Sequence, residues 1–252
     1  MSNKTTTPII QTPLSSVENV YKAKVRLKSV ALHTPLMANL NWSEKYECNI
    51  FFKREDLQVV RSYKIRGAYN KMSFLPQEAL EKGVVCASAG NHAQGVALAC
   101  RLLGVKGTIF MPSTTPKQKT MKVQFFGREN VEIVLIGDTF DASSQAAKAY
   151  CDEHNKTFIH PFDDEKVIEG QATVGLEILE DCDVAIDYVF VAIGGGGLVA
   201  GLGSFFKQVS PKTKIIGVEA VGSPSMYESL KQGKIVTLDK IDNFVEIGRA
   251  HV

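Results

Sequence analysis

Short apolar runs alternate with amphipathic stretches along most of the chain, and this alternation predicts an α/β fold. Bounded apolar runs are typical of buried strands, and they occur at 48–53, 84–87, 106–111, 131–136, 158–159, 188–193 and 214–218. Helical spacing of apolar residues is found at 20–27, 62–74, 91–103, 116–126, 140–154 and 166–179, and a further helix begins at Leu198. Alternating strands and helices form a parallel sheet with helices on both faces.

Composition narrows the class of protein. The 252 residues are 44% hydrophobic and 22% charged with a net charge of +2, which is ordinary for a globular protein of one or two domains. Basic runs interleaved with aromatic residues are missing, which argues against a nucleic-acid partner. The five cysteines form no CxxC pair, so we expect reduced thiols. The polar start of the chain and the lack of a long apolar run predict neither a signal peptide nor a membrane span, hence a cytoplasmic protein.

Four consecutive glycines follow the predicted strand at 188–193 and precede the predicted helix that begins at Leu198. Without Cβ atoms, backbone N–H groups can close on a ligand, and the helix N-terminus favours a phosphate. A flexible turn is the simpler alternative. A dinucleotide fingerprint is another, since Glu219 closes the next predicted strand. No Gly-Lys-Ser/Thr follows, which excludes a Walker A loop.

A lysine opens another predicted helix, in the segment Ser-Tyr-Lys-Ile-Arg-Gly-Ala at 62–68. The positive field of a helix N-terminus, together with burial, lowers the pKa of a lysine amine. A neutral amine is what Schiff-base chemistry requires, so Lys64 is a candidate catalytic residue. Alone, the pattern also fits an ordinary surface lysine.

A loop of small residues, Ser-Ala-Gly-Asn-His-Ala-Gln-Gly at 88–95, follows the predicted strand at 84–87. Its N–H groups suit a carboxylate, and the amide of Asn91 can donate to a ring oxygen. A plain helix cap by Ser88 or Asn91 is the alternative. Two such loops and a candidate lysine in one chain favour a phosphorylated cofactor and a carboxylate substrate.

These three segments together resemble the serine/threonine dehydratase family of pyridoxal-phosphate enzymes, and most of all its threonine ammonia-lyases. Shorter matches agree, at 33–36 (His-Thr-Pro-Leu), 53–58 (Lys-Arg-Glu-Asp-Leu-Gln) and 170–173 (Gly-Gln-Ala-Thr). The resemblance covers nearly the whole chain up to Val245. It implies the fold of the tryptophan synthase β-subunit, with two open, mostly parallel twisted sheets. The large domain would comprise 1–55 and 156–245, and a small inserted α/β domain would comprise 56–155.

The resemblance also implies the roles of individual residues. Lys64 would hold pyridoxal 5'-phosphate as a Schiff base and move the Cα proton, Tyr63 would pack beside the ring, and Asn91 would bond the ring hydroxyl. The phosphate would lie in a cradle formed by Gly194, Gly195, Gly196, Gly197 and Leu198. The substrate carboxylate would be held by Ser88, Ala89, Gly90, Asn91 and His92.

The implied reaction is deamination of L-threonine to 2-oxobutanoate and ammonia, with L-serine as a second substrate, in the first step of isoleucine synthesis or in threonine breakdown. An L-serine dehydratase and a non-catalytic binding module are the alternatives. Racemases of this fold carry serine where this chain has Ala89, which argues against racemisation. Their second metal-binding carboxylate corresponds to Ser225, after Glu219, so we expect no required metal. A homo-oligomer, dimer or tetramer, is expected for the full-length protein.

The last seven residues, 246–252, depart from the family pattern. They can be encoded by GAGATCGGAAGAGCACACGTC, which contains a common sequencing-adapter sequence. We therefore expect a non-native tail on a C-terminally truncated chain, with a divergent natural terminus as the alternative. The missing part would include the residue that faces the cofactor's ring nitrogen. His33, His160 and the acidic run at 163–165 are interpreted as local packing and capping residues.

Overall fold

The computed structural model describes residues 15–238. The helices are α1 (Val17–Leu27), α2 (Leu40–Tyr46), α3 (Lys64–Ser73), α4 (Gln77–Lys82), α5 (Asn91–Leu103), α6 (Lys117–Gly127), α7 (Phe140–Glu153), α8 (Glu165–Asp181), α9 (Gly197–Val209) and α10 (Ser225–Gln232). The strands are β1 (Leu36–Ala38), β2 (Phe51–Lys53), β3 (Val84–Ala87), β4 (Gly107–Met111), β5 (Val131–Leu135), β6 (Thr157–Phe158), β7 (Tyr188–Ala192) and β8 (Lys214–Val218).

Two parallel sheets form the framework, as the family resemblance implied, and their parallel strands agree with the alternating pattern. One has four strands in the order β5-β4-β3-β6, and the other pairs β7 with β8 in parallel. β1 and β2 form a separate antiparallel pair. Every residue of β3 and β4 is buried, because helices cover both faces of the four-stranded sheet. The expected α/β class is therefore confirmed.

Alternation along β3 directs side chains into two different cores. Val84 and Cys86 join a cluster with residues of α3 and α5, whereas Val85 and Ala87 join a cluster with Ala147 of α7. A third cluster lies between α1, α8 and α9 and includes Val191 of β7. α3 packs between α5 and α8, and α8 in turn packs on α9, so these helices join the two sheets.

Three short helices, α2, α4 and α10, were not predicted. They contain seven, six and eight residues, too few turns for a clear helical period. The predicted strand at 48–53 is also shorter, because only its last three residues pair with β1.

The division into two domains stays a proposal, with one boundary moved. β6 pairs with β3, so Thr157–Phe158 belongs to the four-stranded sheet and not to the large domain that was expected to resume at 156. The expected end of that domain at Val245 and the tail at 246–252 lie outside the described residues. Between 15 and 238, no helix is both long and apolar enough to cross a membrane.

Candidate active site

Lys64 is the first residue of α3, and its side chain lies in a pocket between the two sheets. Its Nζ donates to the carbonyl oxygen of Pro161 at 2.7 Å and lies 5.4 Å from the centre of the Tyr63 ring. Burial lowers the pKa of the Lys64 amine from 10.5 to about 8. This is the direction that the sequence predicted, and it leaves roughly a tenth of the amine neutral at pH 7.

The four glycines line the same pocket as Lys64. The lining residues are Tyr63, Lys64, Phe162, Ala192, Gly194, Gly195, Gly196, Gly197 and Leu198. Gly196 has a φ of 90°, a left-handed conformation that favours glycine. The first backbone bond of α9 runs from the N–H of Ala200 to the carbonyl of Gly196, and no described side chain caps the helix. The N–H groups at 197–199 are thus left for a ligand.

The loop at 88–92 leads into α5 beside Lys64 but does not line that pocket. Neither Ser88 nor Asn91 caps the helix, so the cap interpretation is wrong, and the Ser88 hydroxyl accepts from the N–H of Gly90 at 3.1 Å. α5 lies close to α3, since a Cβ on Gly95 would lie 3.1 Å from the carbonyl carbon of Lys64. Uncapped N–H groups at the start of α5 therefore remain suited to an anion near the lysine.

His92 is held in the interior rather than facing a ligand. Its side chain is buried and Nε2–H donates to the carbonyl of Ile159 at 2.8 Å. Burial lowers the pKa of His92 to about 3, so the ring is neutral. Because the ring is engaged with Ile159, only the backbone N–H of His92 could contact a substrate, and that contact stays a prediction.

A turn at 159–163, here called the linking turn, contacts all three predicted segments. The Ile159 carbonyl accepts from His92, the Pro161 carbonyl accepts from Lys64, and the Phe162 ring lies against the glycine loop. Nδ1 of His160 accepts from the N–H groups of Phe162 and Asp163, which is the local capping expected for it. Sequence reasoning missed Pro161 and Phe162, although their position after the carboxyl end of β6 is a usual place for site residues.

The opposite side of α3 is fixed by buried charges. Arg66 is 1% exposed and bonds the carboxylates of Glu55 and Glu177 at 2.7 and 2.6 Å. Lys53 adds a second ion pair to Glu177 at 2.9 Å. Burial alone would raise the pKa of the Glu177 carboxyl, but the hydrogen bonds and charges of Arg66 and Lys53 hold that pKa below its usual range.

Glu219 has a structural partner. Its carboxylate oxygens accept from the N–H groups of Met226 and Tyr227, at 2.9 and 2.7 Å, and so cap the start of α10. This use of Glu219 argues against the dinucleotide alternative, which needs the carboxylate for a ribose. Within 15–238, no group of three or more His, Cys, Asp or Glu side chains could hold a metal ion.

The site fits a phosphorylated aldehyde cofactor. A glycine loop opens an uncapped helix, as a phosphate requires, and a buried lysine of lowered pKa lines the same pocket, as imine chemistry requires. An α/β fold with these two features defines the class of lysine-dependent pyridoxal-phosphate enzymes. The family model described as "Pyridoxal-phosphate dependent enzyme" matches residues 28–249, and the chain belongs to this family.

Individual relatives show which members of the family the chain is similar to. The chain is 58% identical over 230 residues to "L-threonine dehydratase biosynthetic IlvA" of Halalkalibacterium halodurans, a match over 91% of this chain and 55% of the relative. The processed form of threonine deaminase isoform 2 from Solanum lycopersicum has a TM-score of 0.83 at 43% identity, over 94% of this chain and 70% of that one. Maize serine racemase has a TM-score of 0.86 at 32% identity, and the match covers 91% of this chain and 69% of the racemase chain. The chain thus spans about half the length of the curated relative.

Proposed function

We propose that the full-length protein deaminates L-threonine to 2-oxobutanoate and ammonia, with Lys64 as the residue that carries pyridoxal 5'-phosphate. The single observation that carries the proposal is the position of Lys64, a buried amine of lowered pKa in a pocket walled by the glycine loop. The match to proteins named threonine dehydratase and threonine deaminase supports the choice of reaction.

Each predicted residue has a task in this proposal. The N–H groups of the glycine loop and Leu198 bind the cofactor's phosphate, and Tyr63 packs beside its ring. When bound, the cofactor supplies an electron sink for the carbanion formed at Cα. Lys64 removes the Cα proton, while the Pro161 carbonyl keeps its amine in the pocket. N–H groups at the start of α5 hold the substrate carboxylate, and Asn91 bonds the ring hydroxyl.

The substrate range is proposed from the chemistry of the side chain that is lost. Elimination needs a β-hydroxyl, which leaves as water from both L-threonine and L-serine. The two substrates differ by one methyl group, which is worth only about 1–3 kcal/mol in discrimination. L-serine is therefore a second substrate, and the Ala89 position disfavours racemisation. The relative rates on the two amino acids distinguish this enzyme from a serine dehydratase.

The biological setting belongs to the same proposal. The relatives whose names include "biosynthetic" support a role in the first step of isoleucine synthesis, in the cytoplasm. A dimer or tetramer is proposed for the full-length protein.

Lys64→Ala in the full-length enzyme tests the function. We expect keto-acid formation from L-threonine to fall at least about a thousandfold, because no other described lysine lines the pocket. The visible absorbance of lysine-bound cofactor should disappear as well. Lys122→Ala, which removes an exposed lysine of α6, is the matched control and should change neither readout.

Lys64→Arg sharpens the test, because it keeps a positive charge without an amine able to bind the cofactor covalently. Undiminished keto-acid production by either Lys64 variant would refute the assignment. Cofactor binding by wild-type protein without turnover of threonine or serine would favour the non-catalytic alternative.

A further inference from the structure

The Phe162 side chain lies against the glycine loop at Gly195. A Cβ atom placed on Gly195 would overlap Cγ, Cδ1 and Cε1 of the Phe162 ring. The ring therefore occupies the space that any larger residue at 195 would need. Close packing of this kind fixes the path of the neighbouring backbone.

The Phe162 ring is itself supported by His160 and by the hydrogen bonds of the linking turn. Nδ1 of His160 accepts from the N–H groups of Phe162 and Asp163, at 3.3 and 2.7 Å, and the two rings meet edge to face with centres 4.7 Å apart. The Pro161 carbonyl accepts from Lys64, and buried His92 holds the carbonyl of Ile159. The linking turn is thus tied to α3 and α5, so the ring meets the glycine loop from a fixed support.

Four glycines in sequence have high conformational entropy, and an anion site works best when its N–H groups are already aimed. Within the glycine loop, Gly194 and Gly195 are exposed, and no described side chain caps the helix α9 that follows. The Met226 methyl group lies near Gly196, but the contact with the Phe162 ring is the one that restrains exposed Gly195. We propose that Phe162 is a positioning residue that presses on Gly195 and pre-organises the N–H groups of the glycine loop for the phosphate. The proposal rests on the proposed function, because it assumes that the loop binds the cofactor's phosphate.

The test compares pyridoxal 5'-phosphate with pyridoxal, which lacks the phosphate, by absorbance titration of the protein. Phe162→Ala should weaken pyridoxal phosphate about tenfold or more, the worth of one well-aimed charge-assisted hydrogen bond. Pyridoxal should bind within about twofold of its wild-type affinity. Equal losses for both ligands would mean that Phe162 is only a pocket wall, and would overturn the proposal. Phe125→Ala, which removes an exposed ring from α6, is the control.

A double-mutant cycle tests the contact directly. Gly195→Ala should weaken pyridoxal phosphate in the wild-type background and have little further effect in Phe162→Ala, because the overlapping ring atoms are gone. Gly197→Ala is the matched comparison. Its Cβ would lie 2.9 Å from Cα and the carbonyl oxygen of Phe162, which the truncation leaves in place, so its cost should persist. Additive effects for Gly195 and Phe162 would overturn the proposal.

Inorganic phosphate separates this inference from the proposed function. The thermal shift that phosphate produces should be lost in Phe162→Ala and kept in Lys64→Ala, whether or not the lysine ever binds an aldehyde. Phe162→Leu repeats each measurement if the alanine variant is too unstable. A phosphate shift that is unchanged in both Phe162 variants contradicts the proposal, even if Lys64 carries the cofactor.

Discussion

The two sides of α3 have opposite surroundings, although Lys64 and Arg66 are only two residues apart. Around Arg66, the carboxylates of Glu55 and Glu177 satisfy a buried charge. Around Lys64, two helix N-termini present N–H groups that no described side chain caps. A fully paired network fixes structure, whereas donors left without partners are available to a ligand. The Arg66 side of α3 therefore supports the site, and the Lys64 side forms part of it.

The largest expected effect is on the paired side. Arg66→Met leaves Glu55 and Glu177 without their common partner and should cost about 3–5 kcal/mol in the free energy of unfolding. Urea denaturation measures this loss. Arg54→Met, which removes the surface partner of Asp56, is the control and should change the midpoint little. Similar midpoints for both variants would mean that the buried network does not anchor α3.

A smaller effect is expected on the open side. Gly196→Ala places a Cβ on a backbone with a φ of 90° and should lower the free energy of unfolding by about 1–2 kcal/mol. The variant should also bind phosphate more weakly. Gly203→Ala in α9 is the matched control, since its Cβ would meet nothing within 4 Å. That substitution should stabilise the helix by about 0.5–1 kcal/mol. If Gly196→Ala left the free energy of unfolding unchanged, the left-handed conformation at Gly196 would be contradicted.

A further expected effect is a dependence of stability on pH. Because burial lowers the pKa of Lys64 to about 8, the folded chain binds fewer protons than the unfolded chain between pH 8 and 10.5. The free energy of unfolding contributed by this group therefore rises with pH across that window. Lys64→Met should remove this rise. Subtracting the free energy of unfolding of the variant from that of the wild type at each pH cancels the contributions of all other titrating groups. Parallel pH profiles would show that Lys64 titrates normally.

How far the sequence could predict this site depends on the distance between partners. The glycine loop and the lysine were found because their properties are local, a turn without Cβ atoms and a helix start. The Pro161 carbonyl lies 97 residues from the amine it accepts from, and Glu177 lies 111 residues from Arg66. No periodicity links such pairs. For the same reason, the contact of Phe162 with Gly195 was invisible before the chain was folded.

The spacing of Lys64 and Arg66 limits how this segment can change by insertion or deletion. Side chains two positions apart on an α-helix point about 200° from one another, so the amine and the guanidinium leave α3 on nearly opposite sides. One residue inserted between them would rotate Lys64 by about 100° relative to its anchor and take the amine out of the pocket. The length of the Lys-x-Arg segment is therefore fixed, and variation within it can proceed only by substitution.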